Sequence, residues 1–312
     1  MNDLQTQLHS MELATGADLL TDFARHVDAS PRTVDAYRRN VGAFLKWIQA
    51  RGCTRPTWAD ILAYREERMT TQKPTTVQAE IIAIKQFFKW TEAAGLYPNV
   101  ARDVKTPKAS RSHKRDALTQ EQARKLLAQP NRTTLQGKRD YAIMLLMVTG
   151  GLRDTEVMNA NIGDYRELEG KPVLYVLGKG HTDKDDPVKL TPPARAALQE
   201  YLDAKNVPQN AKNTPIFTSL SNRDKDTRLT TRSISRIVKK YLIKAGMDSD
   251  RLTAHSLRHT AVTAAVRSGA TLEQAQQFAR HEKITTTMIY LQEKARSENP
   301  CEDLITSWIF DE

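Results

Sequence analysis

The chain has 312 residues, a length typical of about two domains. Hydrophobic residues make up 39% and charged residues 27% of it, which is enough for a packed core and excludes wholesale disorder. The two cysteines, Cys53 and Cys301, form neither a disulfide framework nor a clustered zinc site, so we expect a reducing compartment. The first ten residues lack the pattern of a signal peptide, and no apolar stretch approaches the roughly 20 residues of a membrane span. A cytoplasmic protein is therefore predicted.

The excess of positive charge indicates a polyanionic partner. Lys and Arg number 47 against 37 Asp and Glu, a net charge of +10, which favours nucleic acid over an anionic membrane. Residues 101–115 hold six basic residues and one Asp, half of that net charge, and show no apolar periodicity. We predict that they form a basic interdomain linker that lies along a phosphate backbone. A linker that only solubilises the chain is the alternative.

Helical patterns fill the first hundred residues. Ser30-Pro31 is a helix start signal, and apolar residues follow at helical spacing until Gly52. Lys73-Pro74 opens a second such helix, which ends at Gly95. We predict a helical domain over residues 11–100, preceded by a tail of residues 1–10.

The second half predicts a mixed α/β domain over residues 116–295. A capping box at Thr119 starts a helix, and a buried helix over residues 141–148 ends at Gly150-Gly151. Residues 172–177 and 186–190 predict two strands around a turn. A helix over residues 230–245 has one apolar and one basic side, which suits a DNA groove. The predicted fold class is thus mainly α with a small β-sheet.

Four short motifs place charged or ring-bearing residues beside predicted buried or turn positions. They are TGGLRDTE, VLGKG, AHSLRHTAVT and ARHEKITTTMIY. Through them the chain resembles the tyrosine recombinase (phage integrase) family, which has these motifs in the same order. The spacings of 23 residues from Arg258 to His281, and of nine from His281 to Tyr290, also match that family. Each motif alone is weak, but four in order beside a basic linker are specific.

The resemblance covers roughly residues 11–295. It implies a helical, SAM-like core-binding domain followed by a catalytic domain, and a site-specific recombinase that acts through a covalent 3′-phosphotyrosyl bond. Because that bond retains the energy of the phosphodiester, neither a metal nor another cofactor is expected. Six residues would carry the reaction: Arg153, Lys179, His255, Arg258, His281 and Tyr290.

The chemistry of phosphodiester attack explains these residue types. The two arginines offer fixed, planar donors to the nonbridging oxygens, on which negative charge grows in the transition state. The Tyr290 phenol is neutral at pH 7, since its reference pKa is about 10, and His255 is the expected base. The resemblance assigns Lys179 as the acid for the departing 5′ oxygen and His281 as a hydrogen-bond donor to the phosphate.

Structural explanations compete for each residue taken singly. A tyrosine usually packs, and an arginine after a helix usually caps its carbonyls. His255 and His259 have a spacing seen in metal sites, but the glutamate of a zincin helix is missing, so His259 is interpreted as structural. Glu156 is expected to orient its neighbours. Taken together, however, the motifs demand too many coincidences for a purely structural explanation.

Two local features of the last motif bear on the nucleophile. Three consecutive threonines precede Tyr290, and β-branched residues weaken a helix, so we predict a loop or marginal segment there that lets the tyrosine move. The family usually has Gly immediately before the last histidine, where this chain has Arg280.

The resemblance also implies partners. Double-stranded DNA with a specific recombination site would be held by both domains, with four protomers on two sites as a homotetramer or a paired heterotetramer. The chain shows no added arm-binding domain, which favours a Xer-like or compact mobile-element integrase. A type IB-like topoisomerase and a non-catalytic DNA-binding regulator are the alternatives. Candidates for reading bases are polar residues near helix starts: Thr75, Thr76, Gln78, Arg232 and Arg236.

The tail of residues 296–312 matches no motif and ends in an apolar cluster. Either this cluster folds back on its own domain, or it docks on a neighbouring subunit, as tails in that family do. Its members are Leu304, Ile305, Trp308, Ile309 and Phe310.

Overall fold

A computed structural model describes residues 17–108, 116–178, 183–207 and 211–310. The chain divides into two compact units, Met1–Ser112 and His113–Glu312. Within the described residues, no helix is both long and apolar enough to cross a bilayer. The predicted fold class, mainly α with a small sheet, is confirmed.

Helices account for the regular structure described in the first unit. They are α1 (Ala17–His26), α2 (Pro31–Ala50), α3 (Trp58–Thr71) and α4 (Pro74–Ala93). The Ser30 hydroxyl caps α2 by accepting the N–H of Thr33, and Gly52 after its end has φ of +64°, which suits glycine. Pro74 opens α4 in the same way that Pro31 opens α2. Both helix starts predicted from the sequence are confirmed.

Aromatic side chains form the core of this unit. Phe23, Phe44, Phe87 and Phe88 are at most 1% exposed, and Phe23 meets Phe87 edge to face with ring centroids 5.4 Å apart. A partly buried ion pair adjoins this core. The Glu80 carboxylate accepts from Arg68 Nε at 2.9 Å and Nη2 at 2.6 Å, and from the Tyr64 hydroxyl at 3.3 Å.

The predicted linker start at residue 101 is wrong. Ala101 and Val104 are fully buried in the core of the first unit, and the Val104 carbonyl accepts from Lys85 Nζ at 3.0 Å. Two apolar residues three apart are enough to pack a short turn, although they give too little signal for a helix. Residues 109–115 lie outside the described residues, so the remainder of the linker stays a prediction.

The second unit combines helices with one small sheet. Its elements are α5 (Gln120–Leu127), α6 (Leu135–Thr149), α7 (Asp154–Asn159), a 3₁₀ turn (Ile162–Asp164), β1 (Tyr165–Leu168), β2 (Lys171–Val176), β3 (Asp186–Lys189), α8 (Pro192–Lys205), α9 (Thr231–Lys244), α10 (Ala254–Arg267), α11 (Leu272–Ala279), α12 (Ile284–Ser297) and α13 (Cys301–Phe310). The capping box at Thr119 is formed, and it begins α5 as predicted.

The antiparallel sheet has the order β1-β2-β3. Two of its strands match the prediction, whereas β1 was missed. Its sequence, Tyr-Arg-Glu-Leu, does not alternate apolar and polar residues, and three of its four residues are exposed. The last pair of the β2–β3 register joins Val176 to Asp186 and so fixes where the connecting turn begins and ends.

Helix α6 contributes residues 142–147 to the core of the second unit and begins six residues before the predicted position. A hydrophobic pattern does not predict this earlier start, because Arg139 and Asp140 are charged and yet buried. Asp140 accepts from Arg139 Nε at 2.9 Å and from the Tyr241 hydroxyl at 3.1 Å, while Arg139 also donates to the Thr218 carbonyl. The pair is thus fully partnered inside the core.

Helix α12 contradicts the predicted loop before Tyr290. The three threonines lie in its first turns, and Thr287 is fully buried. Tertiary contacts therefore override their weak helix propensity. Only residues 280–283 separate α11 from α12.

Candidate active site

Five of the six predicted site residues line one open cleft of about 640 Å³ in the second unit. Four separate segments contribute them. Arg153 precedes α7, His255 and Arg258 lie on the first turns of α10, His281 follows α11, and Tyr290 lies on α12. The sixth, Lys179, lies outside the described residues, but Gly178 before it lines the same cleft.

The turn at Gly150-Gly151 supplies carbonyl groups that hold two of the arginines. Gly151 has φ of +59°, and a Cβ there would meet the Phe278 ring at 3.0 Å, so only glycine fits without strain. Its carbonyl accepts from Arg258 Nη1 at 2.5 Å and from Arg280 Nη2 at 2.8 Å. The sequence had shown this pair of glycines only as a helix end.

Arg258 is the most deeply buried of the five predicted site residues that the structure describes, with 2% of its surface exposed. Its guanidinium also donates to the Ala279 carbonyl. Burial first, and then the nearby positive charges of Arg153 and Arg280, lower the pKa of Arg258 to about 9. The side chain therefore stays cationic at neutral pH, in an environment that would favour an added anion.

Arg153 is tied to Glu156 and to the chain just before His281. Its backbone N–H donates to Glu156 Oε2 at 2.9 Å, and its guanidinium donates to Glu156 Oε1. Nη2 reaches the Arg280 carbonyl at 2.8 Å. These contacts agree with the predicted orienting role of Glu156, which is 1% exposed.

His281 is held by the last threonine of the run before Tyr290. Its Nδ1 lies 2.9 Å from the Thr287 hydroxyl. Burial, followed by the charges of Arg258, Arg153 and Arg280, lowers the pKa of His281 to about 4. The imidazole is therefore neutral at pH 7, and a neutral ring still has one N–H to donate. The sequence gave no signal for Thr287, because a threonine in such a run is indistinguishable from its neighbours.

The Tyr290 ring is 5% exposed and packs beside two histidines. His259 meets it edge to face at 5.0 Å between ring centroids, and His281 is roughly parallel to it at 6.4 Å. His259 is itself buried, and its Nδ1 lies 3.1 Å from the Thr263 hydroxyl. These contacts agree with the structural interpretation of His259.

Arg280 is a site residue whose importance the sequence did not reveal. It takes the left-handed conformation, with φ and ψ both 50°, that a glycine would adopt without strain. Its side chain is 9% exposed and donates to Glu156 Oε2 at 2.8 Å and to the Phe278 carbonyl at 2.9 Å. The only signal in the sequence was the absence of the usual glycine.

The residues named as candidates for reading bases lie on helix surfaces. Thr76 is exposed, and Thr75 and Gln78 partly exposed, in the first turns of α4. Arg232 and Arg236 are exposed on α9, one turn apart. Their exposure fits contact with a ligand but leaves base reading a prediction.

Comparison with known families and structures places the chain. The phage integrase family model matches residues 116–296, and the phage integrase N-terminal SAM-like domain matches residues 20–95. The tyrosine recombinase XerC of Roseiflexus sp. (strain RS-1) is 30% identical over 289 residues, which cover 88% of each chain. XerD of Lacticaseibacillus casei is 28% identical over 281 residues, 87% of this chain and 92% of that protein.

Solved structures agree with the fold. The XerH recombinase bound to a palindromic difH substrate has a TM-score of 0.73 at 16% identity, covering 96% of this chain and 85% of XerH. A lambda integrase(75–356) dimer bound to a COC′ core site has a TM-score of 0.64 at 16% identity, covering 86% and 96%. Because the family model matches more than half of the chain and XerC is 30% identical over 88% of it, the chain belongs to the phage integrase family of tyrosine-type site-specific recombinases.

Proposed function

We propose that this recombinase cleaves and rejoins double-stranded DNA at a specific site through a 3′-phosphotyrosyl intermediate. The observation that carries the proposal is the convergence of Arg153, His255, Arg258, His281 and Tyr290 from four segments on one cleft. Because the chain also belongs to a family of recombinases, a chance grouping of these five residues is a poor explanation.

The cleft is suited to a phosphodiester. Among the described residues, its lining has four basic ones, Arg153, Arg258, Arg280 and Lys283, and two acidic ones, Asp186 and Glu282. Glu156 pairs with two of these arginines, Arg153 and Arg280. Guanidiniums that surround a phosphate stabilise the charge that grows on its nonbridging oxygens as a fifth bond forms. The neutral His281 can donate its one N–H to the phosphate without first being protonated to the cation.

In the proposed step the Tyr290 oxygen attacks phosphorus and gives its proton to His255. The bond from phosphorus to the 5′ oxygen breaks, and that oxygen takes a proton from an acid, the role assigned to Lys179. A 5′ hydroxyl from a second strand then reverses the step, which releases Tyr290 and forms the new phosphodiester. Each half-reaction exchanges one P–O bond for another, so no external energy source is needed.

Contacts to DNA outside the cleft are expected to be mostly electrostatic. The net charge of +10 supports a long phosphate contact, and such binding weakens steeply as salt rises. The XerH and lambda integrase chains that share this fold were solved on DNA sites. A binding constant unchanged between low and high salt would contradict this part of the proposal.

Helix α13 supports assembly of several copies. Its five apolar side chains are 56–83% exposed, so they do not pack on the described part of their own unit. Apolar clusters of this kind usually mark a protein interface. We propose that α13 docks on a second copy of the chain, and that four copies assemble on two DNA sites for integration, excision or dimer resolution.

Covalent capture tests the reaction and finds its target. Cells that express the chain are denatured, and DNA that stays attached to the protein is isolated and sequenced, with Tyr290→Phe as the matched control. We expect adducts at one or a few loci with the wild type and none with the variant. Scattered adducts would indicate a relaxing topoisomerase instead. Absence of adducts even on nicked DNA, with DNA binding intact, would contradict catalysis altogether.

A further inference from the structure

The buried carboxylate of Glu156 has two arginine partners. It is 1% exposed, and it accepts from the guanidiniums of Arg153 and Arg280 and from the backbone N–H of Arg153. Burial alone would raise the pKa of Glu156, but Arg280 and then Arg153 outweigh burial, and the pKa lies below its ordinary value. Glu156 is therefore an anion in the interior, and it requires a cation beside it.

Arg280 occupies a backbone position that disfavours it. The left-handed conformation brings the Cβ of an L-residue too close to its own backbone. The side chain compensates by donating to Glu156 and to the carbonyls of Gly151 and Phe278. A glycine would fit this position without strain, so the arginine has a role that depends on its guanidinium.

We propose that Arg280 is a positioning residue that supplies the counter-charge of Glu156 and thereby releases the Arg153 guanidinium to bind the scissile phosphate. This inference rests on the proposed function. If Arg153 were the sole partner of a buried carboxylate, its departure would leave that charge uncompensated, which is strongly unfavourable. With Arg280 in place, Arg153 can turn towards the cleft while Glu156 keeps one ion pair.

If the role of Arg280 were purely structural, the effect of its loss would not depend on the charge of Glu156. If Arg280 only caps the end of α11, its contacts to the carbonyls of Gly151 and Phe278 matter, and the charge of Glu156 does not. If Arg280 acts as the counter-charge, its loss is harmful only while Glu156 is ionised. Neutralising Glu156 in the absence of Arg280 therefore distinguishes the two roles.

The test is a double-mutant cycle on the full chain with Arg280→Gly, Glu156→Gln and the combination. Each protein is mixed with a nicked duplex that carries a locus recovered by adduct sequencing, and the single-turnover rate of adduct formation is measured beside DNA affinity. We expect Arg280→Gly to lower the rate about tenfold with DNA affinity retained, and Glu156→Gln added to it to recover several-fold of that loss. Arg280→Lys, which keeps the charge, should stay closer to the wild type.

Controls separate the possible failures. Arg132→Gln removes the same charge from an ion pair with Glu200 outside the cleft and should leave the rate unchanged. An Arg280→Gly enzyme as fast as the wild type, or a double variant no faster than Arg280→Gly, overturns the inference while the proposed function stands. A wild type that forms no adduct on the nicked duplex overturns the proposed function, and the inference falls with it.

Discussion

Each unit pairs arginine with a buried carboxylate, Glu80 in the first and Glu156 in the second, but the number of arginines differs between the two sites. In the first unit Arg68 meets Glu80 one to one, and the Tyr64 hydroxyl completes the set. In the second unit Arg153 and Arg280 share the carboxylate of Glu156, and Arg258 shares the Gly151 carbonyl with Arg280. A balanced pair satisfies itself and stabilises a fold, whereas an unbalanced cluster is unfavourable until an anion arrives. The difference distinguishes the structural ion pair of the first unit from the proposed phosphate-binding site of the second without reference to any motif.

Removing an arginine from the unbalanced cluster is expected to have the largest effect on activity. Arg258→Gln should slow adduct formation about 10²–10³-fold, the usual effect of losing one donor to a developing oxyanion. Stability should change by less than about 1 kcal/mol, because two lost hydrogen bonds to carbonyls are offset by relief of repulsion among the arginines. Single-turnover cleavage and thermal unfolding of the same preparation measure both. A variant that unfolds instead would place Arg258 among the structural arginines.

Removing the arginine of the balanced pair should lower stability rather than the rate of adduct formation. Arg68→Met leaves the Glu80 carboxylate buried without a cation. We expect a loss of about 2–3 kcal/mol of stability, less than for a fully buried pair because the Arg68 side chain is 29% exposed. Trp47, Trp58 and Trp90 all lie in the first unit, so fluorescence during urea unfolding reports on it once Trp308→Phe removes the fourth tryptophan. An unchanged unfolding midpoint would mean that water reaches Glu80.

Local signals predicted the helices well because caps and prolines act within a few residues. The starts of α2 and α4 follow from Pro31 and Pro74, and α5 from its capping box. Tertiary contacts decided what the pattern missed. Strand β1 lies on an exposed edge, and the start of α6 is charged but satisfied by partners far along the chain, such as Tyr241.

The site shows the same division. The motifs predicted six residues, and five of them line one cleft, while their pairing depends on backbone carbonyls that no motif specifies. The contact between Thr287 and His281 requires α12 to continue through the threonine run, which propensity alone disfavours. The central place of Arg280 depends on a left-handed turn, which a sequence shows clearly only when glycine occupies it.

Thr287→Val tests the contact that holds His281 beside the arginines, because it preserves the shape of the side chain and removes one hydrogen bond. The His281 ring loses its fixed partner, so its remaining N–H is less well aimed at the phosphate. We expect adduct formation to slow about five- to tenfold, equivalent to a lost hydrogen bond of about 1 kcal/mol. Thr263→Val, which removes the corresponding contact of His259, is the matched comparison and should have a smaller effect on the rate. Equal effects would argue that the two histidines serve packing alike.

The smallest effect expected concerns the protonation of His281. Burial and the surplus of arginines lower its pKa from 6.5 to about 4, so the folded chain binds fewer protons than the unfolded chain between these values. The stability contributed by this difference is fully present above pH 6.5 and is lost as the pH falls towards 4. NMR titration, with the signal assigned by His281→Gln, should show the ring still neutral at pH 5. A midpoint near 6.5 would mean that solvent screens the arginines, and that the second unit is less unbalanced than its geometry indicates. Duplex DNA should raise the midpoint, because a phosphate beside the arginines cancels part of the field that keeps the imidazole neutral.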